Sequence, residues 1–319
     1  MNKEKEYLDG VIGIDTVKSQ LTFHIRNYEA TGVWHPLLIT GAKGSGKNHL
    51  TTAIFKHIKD SKTDLIRKFI TVNCSTLQTL EDFFNIVTEH LADGETSILF
   101  DECEQLKKDS PVALALLTIL APNISNKNTF HYCNEDYEFS FKKTAFIFAT
   151  NEPQKVNAAL VDRLQVISIP SYRLSDLAKI VAINLPKYKI ENKTLEKIAS
   201  ITRYNPRAAV KTAQNIDGYL QRYNKRHLQE NDWQNICKEL SILPMGLNHK
   251  ELEILNILHD NPGSSLTKVS SILGDSTEAV RQFSESYLLK NNLMQITTGR
   301  GRELTVGGRK YLRQLKKMS

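Results

Sequence analysis

One loop limits what this chain can fold into. Residues 41–50 read GAKGSGKNHL, with the spacing Gly41-x-x-x-x-Gly46-Lys47. Glycines at these positions let the backbone turn tightly enough to aim successive N–H groups at one point. The flanks give the loop a context. "PLLIT" before it is a short apolar run suited to a buried strand, and "HLTTAIFKHI" after it has helical apolar spacing. A Gly/Lys-rich turn without a ligand would need neither flank. Strand, glycine loop and helix in this order form a cradle for phosphate, held by the N–H groups of 42–47 and the positive end of the helix. Gly41, Gly44, Gly46, Lys47, Asn48 and His49 are the residues placed on the nucleotide, with Lys47 reaching the β- and γ-phosphates. One position breaks the pattern. Ser or Thr normally follows the lysine and gives its hydroxyl to Mg²⁺, but here the residue is Asn48. Its carbonyl oxygen sits on a longer arm beside an NH₂, so it reaches a metal only through a loop shift or a water. Nucleotide binding should survive, with hydrolysis slow or metal-sensitive.

The rest of the N-terminal half repeats the alternation. "KFITVNC" (68–74), "TSILFDEC" (96–103), "TAFIFATN" (144–151) and "LQVISI" (164–169) read as strands, separated by helical stretches such as "TLQTLEDFFNIVTEHL" and "DSPVALALLTIL". "TFHYCNEDYEFSF" alternates around Asn134-Glu135-Asp136 and reads as a β-hairpin. Strands alternating with helices imply an α/β fold with a doubly wound, mostly parallel sheet. After Pro170 helices dominate ("LSDLAKIVAINLP", "NKTLEKIASITRY", "PRAAVKTAQNIDGYLQRY"), then comes a linker-like "LPMGLN". Helices over 249–259, 265–273 and 276–291, followed by two short strands around a Gly-Arg turn, have the pattern of a winged helix. The expected domains are therefore a nucleotide-binding core over 1–170, a helical lid over 171–242 and a winged helix over 243–319.

Polar residues at strand ends supply the chemistry. Asp101 and Glu102 close an apolar strand, placing one carboxylate for a metal beside one that polarises an attacking water. Asn151 ends another strand, as either a contact to the γ-phosphate or water, or a turn-forming Asn. Arg163, in "AALVDRL", either reaches a neighbouring subunit's phosphate or forms a surface ion pair. Pro206 and Arg207 open a lid helix in "RYNPRAAV", from which Arg207 could sense the phosphates.

This order of motifs resembles the AAA+ ATPases, and among them the RuvB family of Holliday-junction branch-migration motors. The likeness runs from about residue 8 to 317. It extends to "LDGVIGIDTVKSQLTFHI" at the start, "IPSYRLSDLAKIV" in the middle and "YLLKNNLMQITTGRGRELTVGGRKYL" at the end. It implies an AAA+ core, lid and winged helix, and ATP with Mg²⁺ as cofactors. It also implies contacts to the nucleotide from Val11, Ile12, Gly13 and Tyr172. Three features depart from the family. Asn48 replaces Thr, Val161 stands where an arginine usually precedes the one matching Arg163, and the 130–141 hairpin poorly matches the segment by which RuvB engages its partner RuvA.

Charge adds a direction. The chain carries 42 basic and 35 acidic residues, and the surplus gathers at the end. Residues 295–319 hold Arg300, Arg302, Arg309, Lys310, Arg313, Lys316 and Lys317 against Glu303 alone. That is either a polyanion-binding surface or a solvated basic tail. As a winged helix, it would put Arg300, Arg302 and Arg309 on duplex DNA without reading sequence, although winged helices also dock proteins. The leading reading is a hexameric, ATP-driven motor on double-stranded or branched DNA, with a protein partner at the 130–141 hairpin. The alternatives are an ATP-gated switch or loader that recruits a partner, and a winged-helix transcription factor with a nucleotide sensor. The N-terminus is polar and mixed in charge, no apolar run is long enough to cross a membrane, and four spaced cysteines read as free thiols. A cytoplasmic protein is expected.

Overall fold

The structure, a computed structural model, describes residues 7–91, 95–121, 128–132 and 135–318. Its centre is a five-stranded sheet built from β1 (Leu37–Thr40), β2 (Phe69–Asn73), β3 (Ser97–Asp101), β6 (Ala145–Thr150) and β7 (Gln165–Ser168). The strand order is β2-β3-β6-β1-β7, and every neighbouring pair is parallel. The inner strands β3, β6 and β1 are buried almost without interruption, as expected where helices cover both faces of a parallel sheet. The edges β2 and β7 are the mixed ones, alternating or largely exposed. Phe100 stacks on Phe148 with ring centroids 5.1 Å apart, joining β3 to β6 through the core. All five strands run the same way, so their carboxyl ends share one edge.

Six helices accompany this sheet: α1 (Asp15–Thr31), α2 (Lys47–Phe55), α3 (Leu80–Ile86), α4 (Pro111–Leu120), α5 (Ala158–Val161) and the start of α6 (Leu174–Ile183). Local chemistry sets several boundaries. Ser110 caps α4, with Pro111 at its first position, and Thr79 with Asp82 forms a capping box on α3. The expected hairpin is present as β4 (Asn128–Tyr132) paired antiparallel with β5 (Glu135–Phe139), and its turn at 133–134 lies outside the described residues. Tyr137 and Phe139 meet Phe84 edge-on at 4.9 and 5.7 Å.

Two compact units make up the chain. One holds residues 1–180 together with 204–210, and the other holds 181–203 with 211–319. The first therefore includes the opening turn of α8 (Pro206–Arg222). The second contains α7 (Asn192–Ser200), α9 (Glu230–Glu239) and the two-residue strands β8 (Lys189–Ile190) and β9 (His227–Leu228). It also carries the winged helix: α10 (His249–Asp260), α11 (Leu266–Leu273), α12 (Thr277–Ala279), α13 (Ser286–Lys290), β10 (Met294–Thr297), β11 (Gly301–Leu304) and α14 (Val306–Met318). Residues 276–291 were expected to form one helix. Instead, a π-helical segment, Val280–Glu285, separates α12 from α13. The basic end is also not a frayed tail. It forms α14, which buries Tyr311 and Leu312 in the winged-helix core with Leu255, Val269 and Leu288.

Inside this second unit, Arg203 fastens the lid helices to the winged helix. Its guanidinium meets the buried Glu251 at 2.6 Å and lies 3.9 Å over the Tyr287 ring. Tyr287 and Tyr311 both donate to backbone carbonyls of the 243–248 segment, at Met245 and Pro244. The stretch that reads as a linker is thus a packed joint.

Candidate functional site

The loop after β1 wraps the start of α2 as its sequence suggests. Gly46 caps the helix with φ 92°, and Gly41 N–H donates to Thr150 of β6 at 3.2 Å. Gly44 sits at φ 81°, where a Cβ would lie 2.6 Å from Asn205 Oδ1 and 3.1 Å from Arg207 Cβ. A side chain there would be strained by the positive φ and would push the Asn205 amide off the loop. The approach is held by hydrogen bonds. Asn205 Nδ2 donates to the Lys43 carbonyl at 2.8 Å, its Oδ1 accepts from Arg207 N at 2.9 Å, and Arg207 N also faces Gly44 O at 3.3 Å. Pro206 is buried and Arg207 exposed. The expected sensor segment therefore lies directly on the phosphate loop.

Lys47 folds back over the loop, donating to Gly41 O at 2.9 Å and Ala42 O at 3.3 Å. Its burial holds the ammonium below the ordinary lysine range, against the opposing pull of Asp101 and Glu104. Asn48 Nδ2 lies 2.7 Å from Asp101 Oδ2. A carboxylate only accepts, so the NH₂ must be the end of the amide that faces it. Asp101 Oδ1 takes the Glu102 N–H at 3.0 Å. Glu102 adopts φ 55°, ψ 44°, a left-handed turn that is uncommon for a glutamate and ends the strand abruptly. Its carboxylate accepts from Asn73 Nδ2 at 3.1 Å. Thr51 and Thr52 cannot supply the missing hydroxyl, because both donate to helix carbonyls one turn back, Lys47 and Asn48. His49 is exposed on the first turn of α2.

Asn151 follows β6, and its Oδ1 is buried without a hydrogen-bond partner, as is Ser45 Oγ in the loop. Tyr172 is buried, and that burial, with Asp176 nearby, pushes its phenol up to about 12. Val11 is buried and Ile12 partly so, while Gly13 closes on the Asp176 carboxylate. Arg163 is exposed just after α5 and donates to Ala159 O at 2.6 Å. No acid pairs with it among the described contacts.

The three expected DNA arginines differ. Arg300 is exposed at the tip of the β10–β11 wing. Arg309 is exposed on α14 and spends one donor on Leu304 O at 2.8 Å. Arg302 corrects the expectation. Its side chain is only 13% exposed, and both its Nε and Nη2 bind the buried Glu285 at 2.9 and 3.0 Å. A guanidinium forked on a carboxylate in this way has little left for a phosphate.

Comparison with known proteins agrees with this architecture. The family model described as ATPase family associated with various cellular activities (AAA) matches residues 37–171, and that of the RuvB C-terminal winged helix domain matches 244–313. The RuvB subunit of the Holliday junction branch migration complex from Mycoplasma genitalium is 26% identical, over 97% of both chains. That of Mycoplasmopsis pulmonis is 23% identical, over 98% of this chain and 94% of its own. The chain is an AAA+ ATPase homologous to RuvB. Its fold also superposes on Thermotoga maritima RuvB, a Holliday junction branch migration motor, with a TM-score of 0.75 at 20% identity over 97% of each chain.

Membership in this family implies ATP and Mg²⁺. The residues of the ATPase fit the nucleotide. The loop leaves no room for a Cβ at Gly44, and Ser45 Oγ and Asn151 Oδ1 are buried polar atoms awaiting partners. They do not fit a metal bridging residue 48 and Asp101, because the Asn48 NH₂ already occupies that line. In this arrangement Asn48 turns its NH₂, and not its carbonyl oxygen, toward Asp101. No group of three or more His, Cys, Asp or Glu able to hold a metal occurs among the described residues. The two buried thiols among the described residues follow Asn73 and Glu102: burial pushes Cys103 up to about 12 and Cys74 higher still, which disfavours the thiolate. Sequence reasoning missed Asn73 and Asn205. The signal for Asn205 was an Asn directly before Pro206, which is a capping position. Asn73 gave no local signal, since its contact to Glu102 depends on the pairing of β2 with β3.

Proposed function

We propose that this ATPase is an oligomeric motor, a hexamer, that works on double-stranded or branched DNA. One observation carries the reading: the core with its phosphate loop and the winged helix lie in one chain that covers 97% of the Mycoplasma genitalium RuvB and is itself 97% covered. In this reading Lys47 and the loop N–H groups bind the triphosphate and Arg207 senses it. Glu102, oriented by Asn73, polarises the attacking water, and Asn151 helps to place it. Arg163 completes a neighbour's site, while Arg300 and Arg309 hold phosphates of the duplex. A second reading has its own support. The Asn48–Asp101 bond disfavours fast metal-dependent turnover, which suits an ATP-gated DNA-binding switch or loader better than a motor.

Glu102→Gln separates the two. The variant keeps Asp101 but loses the group that activates water. For a motor it should bind DNA tightly with ATP and no longer displace a protein roadblock from duplex. Equal displacement by the parent with ATP and with a non-hydrolysable analogue would reject the motor and favour the switch.

A further inference from the structure

We infer that Asn48 frees nucleotide binding from its usual dependence on a divalent metal and makes the metal compete with the protein for Asp101. The inference rests on the loop being a nucleotide cradle and concerns how that same site is regulated. Its basis is geometric. The Asn48 Nδ2 to Asp101 Oδ2 distance of 2.7 Å is that of a charge-assisted hydrogen bond, with amide hydrogens on the line where an ion shared by residue 48 and Asp101 would stand. An ion there needs oxygen from both sides at about 2.0–2.1 Å. Asn48 can offer oxygen only by turning its amide over, which breaks this bond and sets two oxygens face to face until the ion arrives. A threonine hydroxyl in that place would accept an ion without any such step.

The rest of the loop compensates for the missing positive charge. Lys47 lies inside the cradle, and Lys43 and Arg207 are exposed on either side of Gly44. The α2 N-terminus opens on the same point. An NH₂ carries two hydrogens, so Asn48 holds Asp101 with one and offers the other to a phosphate oxygen. Lys47, the helix end and an amide hydrogen, with Lys43 and Arg207 exposed nearby, thus supply positive charge before any metal is present. The neighbouring hydroxyls on α2 cannot replace the amide, because Thr51 and Thr52 are committed to Lys47 O and Asn48 O.

The test is equilibrium binding of a fluorescent ATP analogue to the full chain, with EDTA and with saturating Mg²⁺. Manganese uptake by the nucleotide complex is followed in parallel by electron paramagnetic resonance. For the parent, affinity should change by less than about threefold between EDTA and Mg²⁺. For Asn48→Thr, Mg²⁺ should tighten binding by about tenfold or more, and manganese should bind at correspondingly lower concentration. Asn48→Ala tells a blocking amide from a merely absent hydroxyl. If the amide blocks, Ala should bind manganese more tightly than the parent. Ala equal to the parent would overturn the competition, and the parent gaining as much from Mg²⁺ as Asn48→Thr would overturn the inference whole. If parent and Asn48→Thr both fail to bind nucleotide under every condition, the cradle itself is refuted, and this inference falls with it.

Discussion

Single residues do sharply different work around the Asp101-Glu102 pair. Asn73 is exposed, on the edge strand, yet its amide is the contact that fixes the Glu102 carboxylate in its left-handed turn. Asn73→Ala should lower kcat by on the order of tenfold or more while leaving KM for ATP nearly unchanged, because it disturbs the orientation of a base and no binding contact. Steady-state kinetics alongside nucleotide titration check this, and a rise in KM alone would assign Asn73 to binding. Glu95 is a purely structural counterpart. Burial pushes its carboxyl up, but hydrogen bonds from Lys143 and Ser61 and the charge of Arg67 outweigh that and bring it down to about 2. The Arg67 side chain is itself only 3% exposed. Glu95→Gln leaves that guanidinium with its carbonyl partners at Lys59 and Lys143 but no acid, a loss of about 1–3 kcal/mol, the range for a hydrogen bond to a charged group. A lowered carboxylate pKa stabilises the fold above the unfolded value and ceases to do so as pH falls through the folded one. The stability gap between parent and variant in urea titrations should therefore be full at pH 7 and shrink from about pH 4 down to about 2.

At the scale of elements, the wing and the third helix of the winged helix are one mechanical piece. The π-helical turn over Val280–Glu285 goes with the burial of Ser284 and Glu285, and Glu285 then takes the fork of Arg302 from β11. The two arginines of the Gly-Arg-Gly-Arg turn, alike in sequence, should fail differently. Arg302→Ala strands Glu285 in the interior and should destabilise the chain by about 3–5 kcal/mol. Arg300→Ala should leave the melting temperature in place, weaken binding to unrelated duplexes about equally, and reduce the salt slope by about one. Thermal melts and salt-dependent DNA titrations of the two variants read both effects. A lowered melting temperature for Arg300→Ala, or an unmoved one for Arg302→Ala, would reverse this assignment.

Over the whole molecule, function as a motor requires a site shared between copies. Arg163 is exposed beyond α5 and its one described contact is to a backbone carbonyl, so its charge has no acid to answer within the described contacts. Arg163→Ala should keep nucleotide binding and lose about a thousandfold in hydrolysis, the worth of an arginine finger supplied in trans. Mixing it with Lys47→Ala should restore part of the activity, since each variant brings the half-site that the other lacks. Failure to recover at any mixing ratio would place both residues in one chain's site. No helix of the described residues is long and apolar enough to cross a membrane, in line with the absence of such a run in the sequence.

What the sequence determined by itself was whatever depends on neighbours along the chain. A glycine loop between an apolar run and a helical period, a strand closing on Asp101-Glu102, and a proline and serine at the start of α4 each carry their own stereochemistry. From these came the strands of the sheet, the cradle, the helices of the lid and the winged helix, within a few residues. The tertiary structure decided whatever depends on partners far away in the chain. Asn73 meets Glu102 only because β2 lies beside β3, and Asn205 reaches the loop across 162 positions. The charge count over 295–319 left two readings, a polyanion-binding surface or a solvated basic tail, and could not say that 306–318 is packed. That segment is a helix because Tyr311 and Leu312 share one face of it and find a core. The same holds for the question posed by Asn48. Its sequence says that a hydroxyl is missing, but only Asp101 at 2.7 Å shows that an amide donor stands in its place. A hydrogen bond between residues 53 positions apart has no local signature for a sequence to carry.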